Sequence, residues 1–322
     1  MGERTAWKER WERALGVRYV KLHFTVSLLS DAILPVHKVS ALRGGMGEML
    51  LRLHCIRDRN CESCDFEEEC PVRRMMYARF EIRPDFVTQG ESIGYILECE
   101  DYREALREGE TLSFNLLLFG KSIVYLNHFI QAFCMLGMEG IGKRQARFQV
   151  VSITNTRGEA ILRDGTIYME KCEVTTLLDY VEYRMGQIAC SGRAGILVFK
   201  TPLTLKYRGA FLKEFRMDAI VEACVRRIYM LDCYEGIRED VTAQMPAIPE
   251  MITQEAHSVR VRRFSSRQQS GMILQGIEGR LVAGEFGEEL LPILLSGELV
   301  HIGKNSRFGF GRFQVKQERE HG

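Results

Sequence analysis

Hydrophobic and polar positions alternate most cleanly at Val20, Leu22, Phe24, Val26 and Leu28, with Lys21, His23, Thr25 and Ser27 between them. Period two predicts a strand with one buried face. After a loop holding Pro35, His37 and Lys38, the period changes. Val39, Leu42, Met46, Met49 and Leu53 fall at helical spacing, predicting a helix from about Ser40. Leu112, Phe114, Leu116 and Leu118 give a strand. Ile123, Leu126, Phe129, Ile130 and Phe133 give a helix over 122–136, and a strand runs from Arg147 to Ile153. Residues 77–87 and 93–98 are weakly patterned, as strands or long loops. Residues 4–15 read as a short amphipathic helix with Trp7, Trp11 and Leu15 on one face.

The same succession restarts after a polar stretch. Ile196–Lys200 reads as a strand and Met217–Tyr234 as a helix on Ile220, Val221, Cys224, Val225, Ile228 and Tyr229. Two strands follow, from Val259 and over Gly276–Ala283, in position to form a hairpin. A short apolar helix, Leu290–Leu295, has Pro292 in its first turn, and a strand follows from Phe313. Each half spells strand, helix, strand, strand, helix, strand. The predicted fold is α+β, two tandem ferredoxin-like (RRM-like) domains. Their bounds are 1–155 with an insertion over about 54–76, a connector with one or two edge strands over 156–192, and 193–322.

Both halves end their second helix in a glycine-rich basic loop. The C-terminal loop, Gly303–Phe313, carries Lys304, Asn305, Arg307 and Arg312 among Gly303, Gly309 and Gly311, with Phe308, Phe310 and Phe313 interleaved. Glycines let a backbone pass close to a ligand, cations suit phosphates, and aromatic rings can stack on bases. The first copy, Gly137–Arg144, ends in Lys143 and Arg144. Arg260, Arg262, Arg263 and Arg267 mark the hairpin, with Arg260 and Arg262 on one face and Arg263 on the other. The helix from Ser40 opens on Arg43-Gly44-Gly45-Met46-Gly47. Each glycine there costs roughly 1 kcal/mol against alanine. Close approach of another backbone, RNA or the neighbouring sheet, accounts for that cost.

Composition narrows the reading. Lys and Arg number 44 against 43 Asp and Glu, net +1, so basic surface has to be local. No apolar run reaches about 18 residues, which predicts no membrane span. The charged start lacks a signal-peptide core, which predicts a cytoplasmic protein whose ten cysteines are thiols or metal ligands. Cys55, Cys61, Cys64 and Cys70 fall within sixteen residues around a Cys-x2-Cys knuckle. Four thiolates suit a closed structural zinc site, and also an iron–sulfur cluster or free thiols. Zinc is the expected cofactor. Pro71 bars immediate helix continuation after the last cysteine. No paired-carboxylate nuclease motif, Walker loop or serine-hydrolase elbow is present.

These pieces together resemble the CRISPR precursor-RNA processing endoribonucleases of the RAMP superfamily, the Cas-six branch. The resemblance rests on Leu42-Arg43-Gly44, Cys70-Pro71, Phe264-Ser265-Ser266-Arg267, and His301-Ile302-Gly303-Lys304 through Gly311-Arg312-Phe313. The cysteine cluster is a departure, not found in every member. The resemblance implies repeat RNA bound across both domains by Arg43, Lys143, Arg144, Arg262, Arg263, Arg267, Lys304, Asn305, Arg307 and Arg312. It implies cleavage to a 5′-hydroxyl and a 2′,3′-cyclic phosphate. RNA supplies its own 2′-hydroxyl nucleophile, so a histidine and a lysine suffice without a catalytic metal. His37 and Lys38 are the expected pair, with His301 the rival. The alternative is a non-catalytic RAMP subunit that binds guide RNA in an effector complex. A third class is a zinc-stabilised protein-interaction module.

Overall fold

The computed structural model describes residues 11–318 except 60, 62–63, 78–79, 81–82, 88–92, 143, 189–193, 243–244 and 266–269. Trp7, Lys143 and Arg267 lie outside the described residues; Trp11 and Leu15 are buried.

The first half builds β1 (Arg18–Leu28), α1 (Val39–His54), α2 (Pro71–Met76), β2 (Tyr95–Glu98), β3 (Thr111–Phe119), α3 (Leu126–Glu139) and β4 (Phe148–Thr154). The stretch expected as a connector gives β5 (Ala160–Arg163), β6 (Thr166–Ile167), β7 (Thr175–Thr176) and α4 (Leu177–Gln187). These strands extend the first sheet, ordered β2-β3-β1-β4-β5-β6, and β7 pairs with β1. The helix α4 was not foreseen, although its start is written locally. The Thr176 hydroxyl accepts from Asp179 N–H while the Asp179 carboxylate accepts from Thr176 N–H, a complete capping box.

The second half builds β8 (Ala194–Leu203), α5 (Met217–Glu235), β9 (Met251–Ser265), β10 (Ser270–Gly284), α6 (Leu291–Val300) and β11 (Phe313–Glu318). Its sheet runs β9-β10-β8-β11. In both halves the second strand of the set is outermost, then the third, first and fourth, with all pairings antiparallel. No helix among the described residues is long and apolar enough to cross a membrane.

Strand parity sorts the core. Val20, Leu22, Phe24 and Val26 point with Leu116 and Leu118 into a cluster beneath α1 and α3. There Phe24 stacks on Phe114 at 4.8 Å and Phe133 tilts against both. Tyr19, Ile96, Leu117 and Phe119 join the cluster of α5 and α6 instead. One sheet therefore supplies both cores, which fixes the two halves against each other and creates the seam where the site lies.

α1 spans Val39–His54 and buries Val39, Leu42, Met46, Met49 and Leu50, while Leu53 faces out. Two of its three glycines answer packing against neighbouring helices. A Cβ at Gly45 would lie 2.5 Å from Leu136 of α3, and one at Gly47 3.1 Å from Met76 of α2. Gly44 meets nothing within 4 Å. No helix runs through Cys70, which is extended before Pro71; a new one, α2, starts at Pro71, where the missing N–H costs nothing.

Candidate RNA-processing site

The glycine loop folds back on its own chain. Gly303, Gly309 and Gly311 all take φ between 73° and 80°, backbone that favours glycine. A Cβ at Gly311 would sit 1.8 Å from the Ile302 carbonyl, and one at Gly303 2.6 Å from the Thr204 carbonyl. Gly309 seats the loop against the first half, with Val39 at 3.1 Å and the Leu97 carbonyl at 3.3 Å from its notional Cβ. The close approaches are intramolecular. Phe308, Phe310 and Phe313 are buried, which corrects the expectation that they stack on bases.

Around Phe308, three guanidiniums converge from three segments. Arg263 of β9 lies 4.2 Å from the ring centroid, Arg43 of α1 and Arg307 of the loop 5.3 Å each. Arg43 Nε also donates to the Tyr95 hydroxyl at 3.3 Å. Burial, then the charges of Arg43 and Arg307, push the Arg263 pKa down. Its Nε is buried with no hydrogen-bond partner among the described residues. An anion brought between these groups is attracted by all three.

The other predicted cations fall elsewhere. Arg262 is exposed on the hairpin and Arg144 on the turn after α3. Lys304 lies 5.5 Å from the Phe211 ring centroid. Asn305 takes left-handed φ, and its carbonyl accepts from Phe308 N–H at 2.8 Å. The Arg312 guanidinium pairs with Glu98 at 3.4 Å and with Glu100, carboxylates of the first half that share its charge.

His37 is half-buried at the entry to α1, its ring edge-on to Tyr102 at 6.0 Å. Burial, then the neighbouring Lys38, lower its pKa. It lines a cavity of about 20 Å³ with Tyr102, Thr201, His301, Gly309 and Arg312. α1 begins without a side-chain cap, leaving first-turn N–H groups beside this cavity for an anion. Lys38 is a correction. It is 1% exposed; its Nζ donates to the carbonyls of Asp101 at 2.7 Å and Arg103 at 2.6 Å and pairs with Asp101 at 3.6 Å. With its donors engaged, the ammonium holds the His37 loop and does not meet a reacting phosphate.

The sequence reading missed the carboxylate at the seam. Glu98 ends β2, buried, and lines the same cavity as His37. Lys21 Nζ lies 2.9 Å from Glu98 Oε2, Asn115 Nδ2 donates to the same oxygen at 2.9 Å, and His301 Nε2 is 3.1 Å from Oε1. His23 Nδ1 is 2.8 Å from Asn115 Oδ1. Burial alone would raise the Glu98 pKa, but Lys21, the hydrogen bond to His301 and Arg312 hold it well below the usual carboxylate range. The available signal was a lone acid closing the apolar run Tyr95-Ile96-Leu97.

The cysteines lie apart from this seam. Cys61 feels Cys70, Cys55 and Cys64, so all four thiols share one neighbourhood, and burial raises its pKa. The Cys55 thiol donates to the Arg57 carbonyl and that of Cys61 to the Arg59 carbonyl. Among the described residues no three His, Cys, Asp or Glu side chains converge to hold a metal ion.

Two antiparallel sheets meeting at a seam of histidines, beside a cluster of arginines, define a protein suited to a polyanionic chain. Residues 17–177 match a family model described as an N-terminal domain, and residues 197–313 match that of the CRISPR-associated endoribonuclease Cas6. Residues 197–313 thus form a domain of the CRISPR-associated Cas6 endoribonuclease family. No curated protein matches the chain. Among solved structures, a partial Cas6-RT-Cas1–Cas2 complex matches with TM-score 0.58 and 11% identity, over 95% of this chain and 47% of that one. A second Cas6-RT-Cas1–Cas2 complex matches with the same score and identity over 29% of its chain. The chain thus spans under half the length of these two. A Cas6 product complex matches with TM-score 0.50 and 11% identity, over 92% of this chain and 99% of that one. At such identity these likenesses show the fold.

Proposed function

We propose that this protein is a CRISPR repeat-RNA endoribonuclease built on tandem ferredoxin-like units. It cleaves precursor RNA without a catalytic metal, by attack of the 2′-hydroxyl on the adjacent phosphate, to give a 5′-hydroxyl and a 2′,3′-cyclic phosphate. The observation that carries this reading is the seam itself. A half-buried histidine, His37, stands at an uncapped helix N-terminus, in one cavity with His301 and beside the arginines on Phe308. A phosphate at the start of α1 meets free N–H groups and the positive end of the helix dipole. Arg43, Arg263 and Arg307 hold the flanking backbone, and His37 transfers a proton at the 2′-oxygen or the leaving 5′-oxygen. Lys38 positions the His37 loop. Repeat RNA is the partner before cleavage; guide RNA afterwards is the form an effector complex receives.

Incubation of the purified protein with repeat RNA in chelator tests this. Cleavage at one position, with cyclic-phosphate ends, is the expected result. A mobility shift with no cleavage in any repeat RNA identifies a guide-holding RAMP subunit instead. Absence of salt-sensitive RNA affinity leaves a protein-interaction module.

A further inference from the structure

With Lys38 engaged inside the fold, the reaction lacks its second proton-transfer group. His301 has the features of one. It follows α6 at φ +52° with no exposed surface. Such backbone costs a non-glycine residue about 1–3 kcal/mol and persists only where its surroundings impose it. Nε2 of His301 lies 3.1 Å from Oε1 of Glu98. Lys21 and Arg312 keep Glu98 ionised, and an ionised carboxylate can only accept. The hydrogen therefore sits on Nε2. A neutral imidazole has one such hydrogen, so Nδ1 presents a bare lone pair. Nδ1 is buried and has no hydrogen-bond partner among the described residues. His301 and His37 line the same cavity, whose volume of about 20 Å³ admits one water-sized group. A carboxylate that fixes a histidine's tautomer and leaves its other nitrogen bare is how several hydrolases make a general base.

We propose that His301, its tautomer set by Glu98, is the general base of the site and that His37 is the acid across the shared cavity. This rests on the RNA-cleavage reading above. His301 Nδ1 takes the 2′-hydroxyl proton through one water in the cavity, as the O2′–P bond forms. The P–O5′ bond breaks, and O5′ receives a proton from His37 in its protonated form. His301 leaves the step as an imidazolium facing the Glu98 carboxylate, and exchange with solvent restores both rings. Glu98 is a positioning residue that touches no substrate atom.

The test joins a spectroscopic arm to a kinetic one. In protein with ¹⁵N-labelled histidine, NMR at neutral pH is expected to show His301 as the Nε2–H tautomer. Glu98→Gln can offer an amide N–H to Nε2, which moves the ring hydrogen to Nδ1. That variant should show the Nδ1–H tautomer and lose about 10²–10⁴-fold in single-turnover cleavage at unchanged RNA affinity. His301→Asn should lose a comparable factor. An Nδ1–H tautomer in the wild type overturns the assignment, and this arm needs no folded variant. Normal cleavage by His301→Asn with loss in His37→Ala also overturns it, and leaves the function proposed above standing. A wild type that cleaves no repeat RNA overturns both, whatever tautomer His301 shows.

Discussion

At the residue scale, the paired expectation for His37 and Lys38 divides. His37 reaches a cavity; Lys38 reaches only carbonyls and Asp101. His37→Ala should therefore cut single-turnover cleavage about 10²–10⁴-fold while binding changes little. Lys38→Met should act on stability, since it removes the part-buried hydrogen bonds to the Asp101 and Arg103 carbonyls, at roughly 1–3 kcal/mol in all. Denaturant midpoints beside cleavage rates separate the two effects. Acid stability follows from the seam. The folded pKa of His301 lies below its ordinary 6.5, mainly through burial. Below pH 6.5 the unfolded chain thus binds a proton that the folded chain refuses, and stability falls as pH drops toward the folded pKa. Glu98 adds a second loss as pH falls from its ordinary 4.5 toward its depressed folded value. Melting temperature measured from pH 7 to 4 should decline throughout. His37 and His54 are shifted the same way, so His301→Gln should make the first part of that decline shallower without removing it.

At the element scale, the glycine loop is held by hydrogen bonds of its own. Ile302 N–H donates to the Gly311 carbonyl at 3.1 Å, and Gly311 N–H to that of Pro202 at 3.0 Å. Gly311→Ala places a Cβ against the Ile302 backbone, whereas Gly309→Ala meets chiefly a valine methyl, which can yield. Both suffer left-handed φ, and the first adds a clash with backbone. Gly311→Ala should lower stability by about 1–3 kcal/mol or prevent folding, and should do more harm than Gly309→Ala in chemical denaturation. The cysteine stretch has a direct readout. One zinc per chain in elemental analysis of reductively purified protein is what the Cys-x2-Cys spacing predicts. Metal-free protein leaves the four as thiols, those of Cys55 and Cys61 donating to the Arg57 and Arg59 carbonyls.

For the whole molecule, charge is divided between binding RNA and closing the seam. Arg43, Arg263 and Arg307 face one another, so replacing any of them with alanine should weaken RNA binding and flatten its salt dependence. Arg312 joins the first half to the second through Glu98 and Glu100. Glu98→Ala leaves Lys21 and Arg312 without a buried counter-charge and should cost about 3–5 kcal/mol. Glu100 is exposed, and Glu100→Ala should cost under about 1 kcal/mol. Thermal melts of the two variants, together with affinities at several salt concentrations, distinguish the closing charges from the RNA-binding ones.

The order of elements was legible because it depends on local period. Val20 to Leu28 alternate as they do because one face meets α1 and α3, and Met217 to Tyr234 repeat as a helix does. Turn chemistry carried further, since Gly303, Gly309 and Gly311 mark a sharply folded loop in any setting. A capping box at Thr176 was equally local and was passed over within a polar stretch. What the glycines approach, and which cations remain for RNA, are contacts between residues that can lie more than 200 apart in sequence. Arg312 finds Glu98, Arg43 finds Phe308, and His301 finds Glu98 only after two sheets close on a shared core. Local pattern cannot encode those meetings, because the free energy that makes them is that of burying Leu117 and Phe119 with α5 and α6. The chain's own periodicities set its two sheets; the seam between them decided which histidine, carboxylate and arginines share a site.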